Sequence, residues 1–285
     1  MSERIVIAGA TGQVGLALRR CLDRENRTYV ALGPHELDLT SPNVVDQLAE
    51  LDPSAVINAA AWTDVRGAEQ ASNRQLVWEV NCHGARRLAE GCAALGVPLV
   101  HISTDYVFDG HKRVPYKEND ETNPLQAYGA SKLDGEREVA RVYPSVLIAR
   151  TSTVYGDRPE GPRHYVDAIL AQAREHQALE VVRLPVSSPS YTADIADALV
   201  NLLDARASGL VHVVNDGAAS RMELACEAVR LAGFDFEVAE RPEPSGDLER
   251  PDYSVLDTSR YRELTGKSMR SWQEALSDYV AGLAT

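Results

Sequence analysis

The sequence predicts an α/β protein with a doubly wound parallel sheet and a smaller C-terminal lobe. Three features of the 285-residue chain lead there. Short apolar runs alternate with longer amphipathic segments through the first half, the rhythm of strands that need a helix to return to a parallel neighbour. A glycine-rich turn, Gly9-Ala-Thr-Gly12-Gln-Val-Gly15, follows the first apolar run directly. Beyond about Gly156 the rhythm loosens and prolines and charges become frequent, as in 157–163 and 241–246.

The elements follow in order. Arg4–Ala8 is an apolar run long enough for a strand, and Gln13–Asp23 has the amphipathic spacing of the helix behind it. Thr28–Leu32 reads as the second strand and Ser41–Leu51 as its helix. Pro53 ends that helix before the third strand, Ala55–Asn58, and Pro98 ends the long helical stretch Ser72–Leu95 before the fourth, Leu99–Ser103. Leu125–Val142 is the next helix and Val146–Ala149 the fifth strand. Residues 1–156 therefore form one domain. Residues 157–285 read mainly as a substrate-binding lobe, with 180–204, including a helix at Thr192–Leu203, packing back on the first domain.

A hydrophobic content of 44% is ordinary for a globular chain of this length, and a net charge of −13 disfavours nucleic acid and anionic membrane surfaces as partners. Cysteines 21, 82, 92 and 226 lack the spacing of a metal site and sit in helix-like or apolar surroundings, so buried reduced thiols are expected. The first strand starts at once, leaving no room for a signal peptide, and no apolar run approaches the roughly 18 residues of a membrane helix. A soluble protein of a reducing cytoplasm is expected, with assembly as a homodimer left open.

The glycine turn sits between a strand and a helix, the setting a dinucleotide-binding (Rossmann) fingerprint requires. Gly9 permits the tight turn, Gly12 lets the backbone approach a pyrophosphate, and Gly15 allows close helix–strand packing. Thr11 lies within the same turn. Amides at the helix start favour the anion. The acid that usually binds the adenosine ribose should end the second strand. Here Val30-Ala31-Leu32 runs into Gly33-Pro34-His35, with neither Asp nor Arg, which leans slightly to NADPH over NADH. Asp38, followed by Leu39, borders the adenine or caps the helix near Ser41. Asn58-Ala59-Ala60-Ala61 ends the third strand with small residues that leave room for a flat cofactor or for tight packing. Asn81 either anchors a water or is a buried amide.

Tyr128 and Lys132 stand four residues apart in Tyr-Gly-Ala-Ser-Lys, with Ser103-Thr104 upstream at the end of a strand. On a helix that spacing puts phenol and ammonium on one face. A tyrosine, with a free pKa of about 10, can give its proton to a carbonyl oxygen as a hydride arrives. A hydroxyl from Thr104 or Ser103 could bind the same oxygen.

These strings carry a resemblance. Gly9-x-x-Gly12-Gln-Val-Gly15, Asn58-Ala-Ala-Ala-Trp-Thr63, Ser103-Thr-Asp-Tyr-Val-Phe-Asp-Gly110, Tyr128-Gly-Ala-Ser-Lys132-Leu, Arg150-Thr-Ser-x-Val-Tyr-Gly156 and Arg250-Pro-x-x-Ser254-x-Leu256 resemble the extended short-chain dehydrogenase/reductases, and within them the dTDP-4-dehydrorhamnose reductase family. The similarity spans nearly the whole chain. It implies NAD(P)H-dependent reduction of the 4-keto group of a 6-deoxyhexose carried on a nucleoside diphosphate. Tyr128 would be the proton donor, Lys132 would hold the nicotinamide ribose and lower the tyrosine pKa, and Thr104 would bind the keto oxygen. Gly12, Gln13 and Val14 would cradle the pyrophosphate. Asp38, Leu39, Ala61, Trp62 and Thr63 would line the rest of the cofactor site, and Thr104-Asp105 would touch sugar.

The departures from the family pattern gather on the substrate side. Thr153 stands where the family has a tryptophan, and His164-Tyr165 where it has Asn-Phe. Leu184-Pro-Val-Ser-Ser-Pro189-Ser190 replaces Asp-Gln-x-Gly-x-Pro-Thr, and Thr63-Asp-Val-Arg66 replaces Thr-Ala-Val-Asp. Ala17 occupies the position of an interfacial metal-site glutamate, so no metal site is expected. Thr153, His164 and Arg250 are the substrate-side candidates, with Arg66 or Arg250 facing a diphosphate. A reductase of a different ketone and a non-catalytic NADP-binding regulatory subunit remain alternatives, and retention of Tyr128, Lys132 and Thr104 speaks against the second.

Overall fold

The computed structural model describes residues 4–157, 164–175, 178–242 and 248–283, so much of the two proline- and charge-rich stretches lies outside it. The chain runs β1 (Ile5–Ala8), α1 (Gln13–Arg24), β2 (Tyr29–Leu32), α2 (Val44–Glu50), β3 (Ala55–Asn58), α3 (Val65–Ala68), α4 (Arg74–Trp78), a π-helical turn Glu79–Gly84, α5 (Ala85–Leu95), β4 (Leu99–Thr104), α6 (Ala127–Val142) and β5 (Leu147–Thr151). It continues with β6 (Val154–Tyr155), α7 (Tyr165–Glu175), β7 (Leu179–Val181), β8 (Val186–Ser187), β9 (Ser190–Tyr191), α8 (Thr192–Asp204), β10 (Gly209–His212), β11 (Ala219–Ser220), α9 (Arg221–Leu231), β12 (Val238–Glu240), α10 (Ser259–Thr265) and α11 (Trp272–Gly282).

Six strands form one parallel sheet in the order β10-β5-β4-β3-β1-β2. Side chains alternate across a strand, and the two faces separate accordingly. Ile5, Ile7, Ala55 and Ile57 pack with Leu18 and Leu22 of α1 and Ile195 and Leu199 of α8. Val6, Ala8 and Val56 pack with Leu48 of α2, Leu88 of α5 and Val139 of α6. Apolar side chains on both faces of these strands dictate helices on both sides. Sequence reading stops at five strands. The sixth, Gly-Leu-Val-His, lies beyond the stretch where strand–helix alternation is regular and becomes a strand by pairing with β5.

After β1 the chain adds β2 on one side, then crosses to place β3 on the other. The order reverses between β1 and β3, and a crevice opens at the carboxyl ends of strands at such a switch point. Gly9 and Ala59–Ala61 lie there.

The remaining elements build a smaller lobe. Val166 and Leu170 of α7, Leu224 and Ala228 of α9, and Leu276 of α11 enclose Tyr155, and β7–β12 add a short parallel pair. Tyr116↔Leu256 and Val186↔Tyr253 bridges lace the chain between the lobes. Among the described residues no helix is long and apolar enough to cross a membrane. All four cysteines are free; three are buried, but Cys226 on α9 is exposed, contrary to expectation, because it falls off the helix face that buries Leu224, Ala225, Ala228 and Val229.

Candidate active site

The glycine turn is built as its composition demands. Gly9 has φ of 81°, and a Cβ there would lie 2.4 Å from the Ala60 nitrogen, so β1 and β3 can close only around glycine. A Cβ at Gly15 would meet the Gly9 carbonyl oxygen at 2.2 Å. Gly12 differs: the nearest atom to its Cβ position is 3.5 Å away. The protein itself does not demand glycine there, whereas a ligand approaching the backbone would. Gly12 is the N-cap of α1, with no side chain capping the helix and no acid in its first turn. Gln13, Val14 and exposed Thr11 line that open end. These are the features of an anion site for a dinucleotide pyrophosphate.

The structure also brings an acid to the end of β2 from further along the chain. The Gly33 N–H donates to Glu36 Oε2 at 2.9 Å, and a Cβ on Gly33 would crowd both Thr11 and that carboxylate. Sequence reading inspected residues 33–35 and missed Glu36 because a turn, with the Leu37 N–H donating to the Gly33 carbonyl, folds it back. Asp38 makes a turn of its own: its Oδ1 accepts from the Thr40 N–H at 2.9 Å, and Asn43, not Asp38, is the N-cap of α2. Leu39 is buried against Gly84 of the π-helical turn.

Beyond β3, Ala59, Ala60 and Ala61 are half-buried and Thr63 is exposed. The Trp62 N–H donates to Asn81 Oδ1 at 2.8 Å, and Asn81 Nδ2 reaches Ser131 Oγ at 3.0 Å. Asn81 is thus a buried amide tying the 59–63 segment to α6, the helix that carries Tyr128 and Lys132. It does so from a π-helical turn, a device common at functional sites.

Tyr128 and Lys132 fall in the first turns of α6, whose opening amide, Ala127 N–H, donates to Glu69 Oε1 at 2.6 Å. Thr104, at the end of β4, places its hydroxyl near enough to act on the Tyr128 phenol. Burial pushes that phenol well above its ordinary range; Thr104 pulls it down, and Asp105 and Tyr106 add to the rise. The Lys132 Nζ donates to the Ile102 carbonyl at 2.7 Å, and burial draws the ammonium down to about 8, Glu136 opposing. Ser103 Oγ is buried and finds no partner among the described residues. An orphan hydroxyl beside Thr104 is where a bound group would supply the missing bond.

Asp105 faces inward. Its Oδ2 accepts from Ser152 Oγ at 2.7 Å and Ser254 Oγ at 2.6 Å, while Oδ1 accepts from Thr104 Oγ1 at 3.2 Å. Desolvation raises the carboxyl to about 6, the three hydroxyls working against it. One buried acid therefore pins the Thr104 hydroxyl to β5's end and to the C-terminal segment.

On the substrate side, Thr153 Oγ1 and Ser187 Oγ lie 2.8 Å apart. His164 is used to shape the backbone: its Nδ1 accepts from the Asp167 N–H at 3.3 Å at the start of α7, and its Nε2 lies 2.9 Å from the Gly156 carbonyl and 3.2 Å from the Tyr279 hydroxyl. Burial raises the Tyr106 phenol, with the Arg250 charge working against it, and the Tyr106 ring stands edge-on to Tyr128 with centroids 5.9 Å apart. Tyr106 stands in the Ser103–Gly110 string without a role read for it, and the structure sets its ring against Tyr128.

The arrangement holds a protonated phenol, a hydroxyl partner and a buried lysine beside an anion-ready glycine turn. Known proteins resemble the chain over nearly its whole length. The profile of the RmlD substrate binding domain matches residues 3–285. A dTDP-4-dehydrorhamnose reductase of Mycobacterium tuberculosis is 38% identical, covering 99% of this chain and 94% of that protein. A dTDP-4-keto-6-deoxy-D-glucose reductase of Streptomyces niveus is 37% identical over 97% of this chain and 96% of its own length. The crystal structure of a dTDP-4-dehydrorhamnose reductase from Bacillus anthracis in complex with NADP superimposes with a TM-score of 0.91 at 32% identity, covering 99% of this chain and 100% of that one.

Proposed function

The chain belongs to the RmlD substrate binding domain family, and from that premise we propose that it reduces the 4-keto group of a nucleotide-linked 6-deoxyhexose with NADPH or NADH. The observation that carries the reading is a buried Tyr128 phenol with the Thr104 hydroxyl acting on it and Lys132 one turn on along α6, at the edge of the switch-point crevice. A bound dihydronicotinamide supplies the hydride to the ketone carbon. Tyr128 gives its phenolic proton to the carbonyl oxygen, leaving an alcohol and a phenolate that solvent reprotonates. A phenol held protonated by burial suits the reductive direction, in which the enzyme must start with the proton in hand. Thr104 orients the keto oxygen, and Asp105 orients Thr104. Lys132 spends one N–H on Ile102 and keeps two for the ribose hydroxyls. We place the protein in the cytoplasm and take a homodimer as the assembly to be checked by sedimentation.

A change of ketone within this reaction class is favoured by one contact. Thr153 and Ser187 replace the tryptophan and glycine of the family pattern and bond to each other, so a hydroxyl pair stands where an aromatic plane would lie under the sugar. The decisive experiment follows NADPH absorbance on a panel of nucleotide-linked 4-keto sugars. Tyr128→Phe should abolish turnover and leave NADPH affinity nearly unchanged; lost affinity with retained turnover would refute the assignment.

A further inference from the structure

Hydride and proton transfer leave a buried imidazole unused. His101 on β4 and Asn58 at the end of β3 are register partners, so both side chains leave the same face of the sheet, and both are buried. The Ala60 N–H donates to Asn58 Oδ1 at 3.1 Å, which fixes the orientation of the amide and leaves Nδ2 as its donor. That Nδ2 lies 3.0 Å from His101 Nδ1, so the ring nitrogen accepts and the imidazole carries its proton on Nε2. A charged imidazole, a donor at both nitrogens, could not make this bond. Burial and the Lys132 charge lower His101 well below its ordinary value of 6.5, and the Lys132 Nζ bonds the carbonyl of the adjoining Ile102 at 2.7 Å. The Nε2–H finds no partner among the described residues. An unpaired buried donor weakens a fold, so packing alone does not account for an imidazole here.

We propose that His101 is a positioning residue that holds, through Asn58, the β3 wall of the dinucleotide crevice. This rests on the NAD(P)H-dependent reading above. The contacts run without a break. His101 Nδ1 orients the Asn58 amide, Asn58 Oδ1 holds the Ala60 N–H, and Ala60 lies so close to Gly9 that a Cβ there would come within 2.4 Å of the Ala60 nitrogen. Ala59 is held from the strand itself, its N–H donating to the Ala8 carbonyl at 2.9 Å. The Ala59–Ala61 segment and the Gly9 turn face each other across the switch point, so a rotated Asn58 amide would shift one against the other. In this role His101 touches neither cofactor nor substrate and acts by keeping Asn58 in one orientation.

Two substitutions separate positioning from packing. His101→Asn puts an Oδ1 acceptor where Nδ1 stood but empties the rest of the ring's volume, whereas His101→Leu fills most of that volume without an acceptor. Fluorescence titration with NADPH and with NADH, read beside the urea midpoint of each cofactor-free protein, should rank the two in opposite orders. His101→Leu should weaken the better-bound cofactor about tenfold, the size of one neutral hydrogen bond. His101→Asn should stay within about threefold of wild type, although its cavity makes it the less stable variant. In an Asn58→Ala background His101→Leu should add less than about twofold, since two residues acting through one contact are not additive; this comparison decides the matter if the asparagine variant does not fold. Unchanged affinity in His101→Leu, weaker binding by His101→Asn than by His101→Leu, or a full second loss in the Asn58→Ala background would overturn the proposal and leave His101 a packing residue. Wild-type protein that binds neither NADPH nor NADH would instead overturn the reductase reading itself, and this assignment with it.

Discussion

Lys132→Met should stabilise the cofactor-free protein while destroying its use of cofactor. Burial lowers the Lys132 ammonium from 10.5 to about 8. For a base whose folded value is depressed, the unfolded chain holds a proton that the folded chain has released between about 8 and 10.5. Folding is therefore penalised in full below pH 8, and the penalty fades as pH rises through that window. The difference between 10.5 and about 8, at about 1.4 kcal/mol per pH unit, amounts to about 3 kcal/mol. Methionine fills a similar volume but forfeits the bond from Nζ to the Ile102 carbonyl, worth about 1 kcal/mol. The net expectation is a gain of about 2 kcal/mol at pH 7. Urea unfolding of both proteins at pH 7, 8 and 9 without cofactor would measure it. The variant's advantage should shrink as pH rises, and taking the difference cancels the buried thiols, which Cys92 exemplifies with a value near 12. A variant less stable than wild type at pH 7, or a difference that ignores pH, would show that the ammonium is well solvated in the fold.

Three further outcomes follow from the same structure. Asp105 is an acid whose folded value is raised from 3.8 to about 6, so its contribution to stability is complete below 3.8 and is lost as pH rises through 6; Asp105→Asn should gain on wild type by about 1 kcal/mol between pH 5 and pH 7.5 in urea unfolding. Glu36→Gln removes a carboxylate beside Thr11 at the end of β2, and fluorescence titration should find NADPH binding tightened about fivefold, roughly 1 kcal/mol of relieved repulsion, with NADH within twofold. Glu136→Gln leaves the buried guanidinium of Arg150 without the carboxylate that meets it at 2.9 and 2.7 Å, and should cost about 3–5 kcal/mol in thermal or urea unfolding.

What the residues determined by themselves is local. Apolar runs of strand length, prolines ahead of β3 and β4, and the Gly9 turn mark out the alternating elements, since each signal is a property of adjacent residues. Tyr128 and Lys132 are legible as a pair because a helix converts a spacing of four into a shared face. Thr104 is legible from its place at the end of an apolar strand. Everything that depends on a meeting between distant segments needed the tertiary structure. β10 is a strand because β5 lies beside it, 62 residues away between Gly209 and Leu147. Asp105 turns from an apparent sugar contact into a buried tie because Ser152 and Ser254 converge on it. The state of Tyr128 was also undecided in the sequence. In the fold desolvation is the largest influence on the phenol, and the Lys132 ammonium bonds the Ile102 carbonyl. Spacing specifies which side chains share a face, but proton affinity is set by how much water and which charges surround each group, and sheet order decides both.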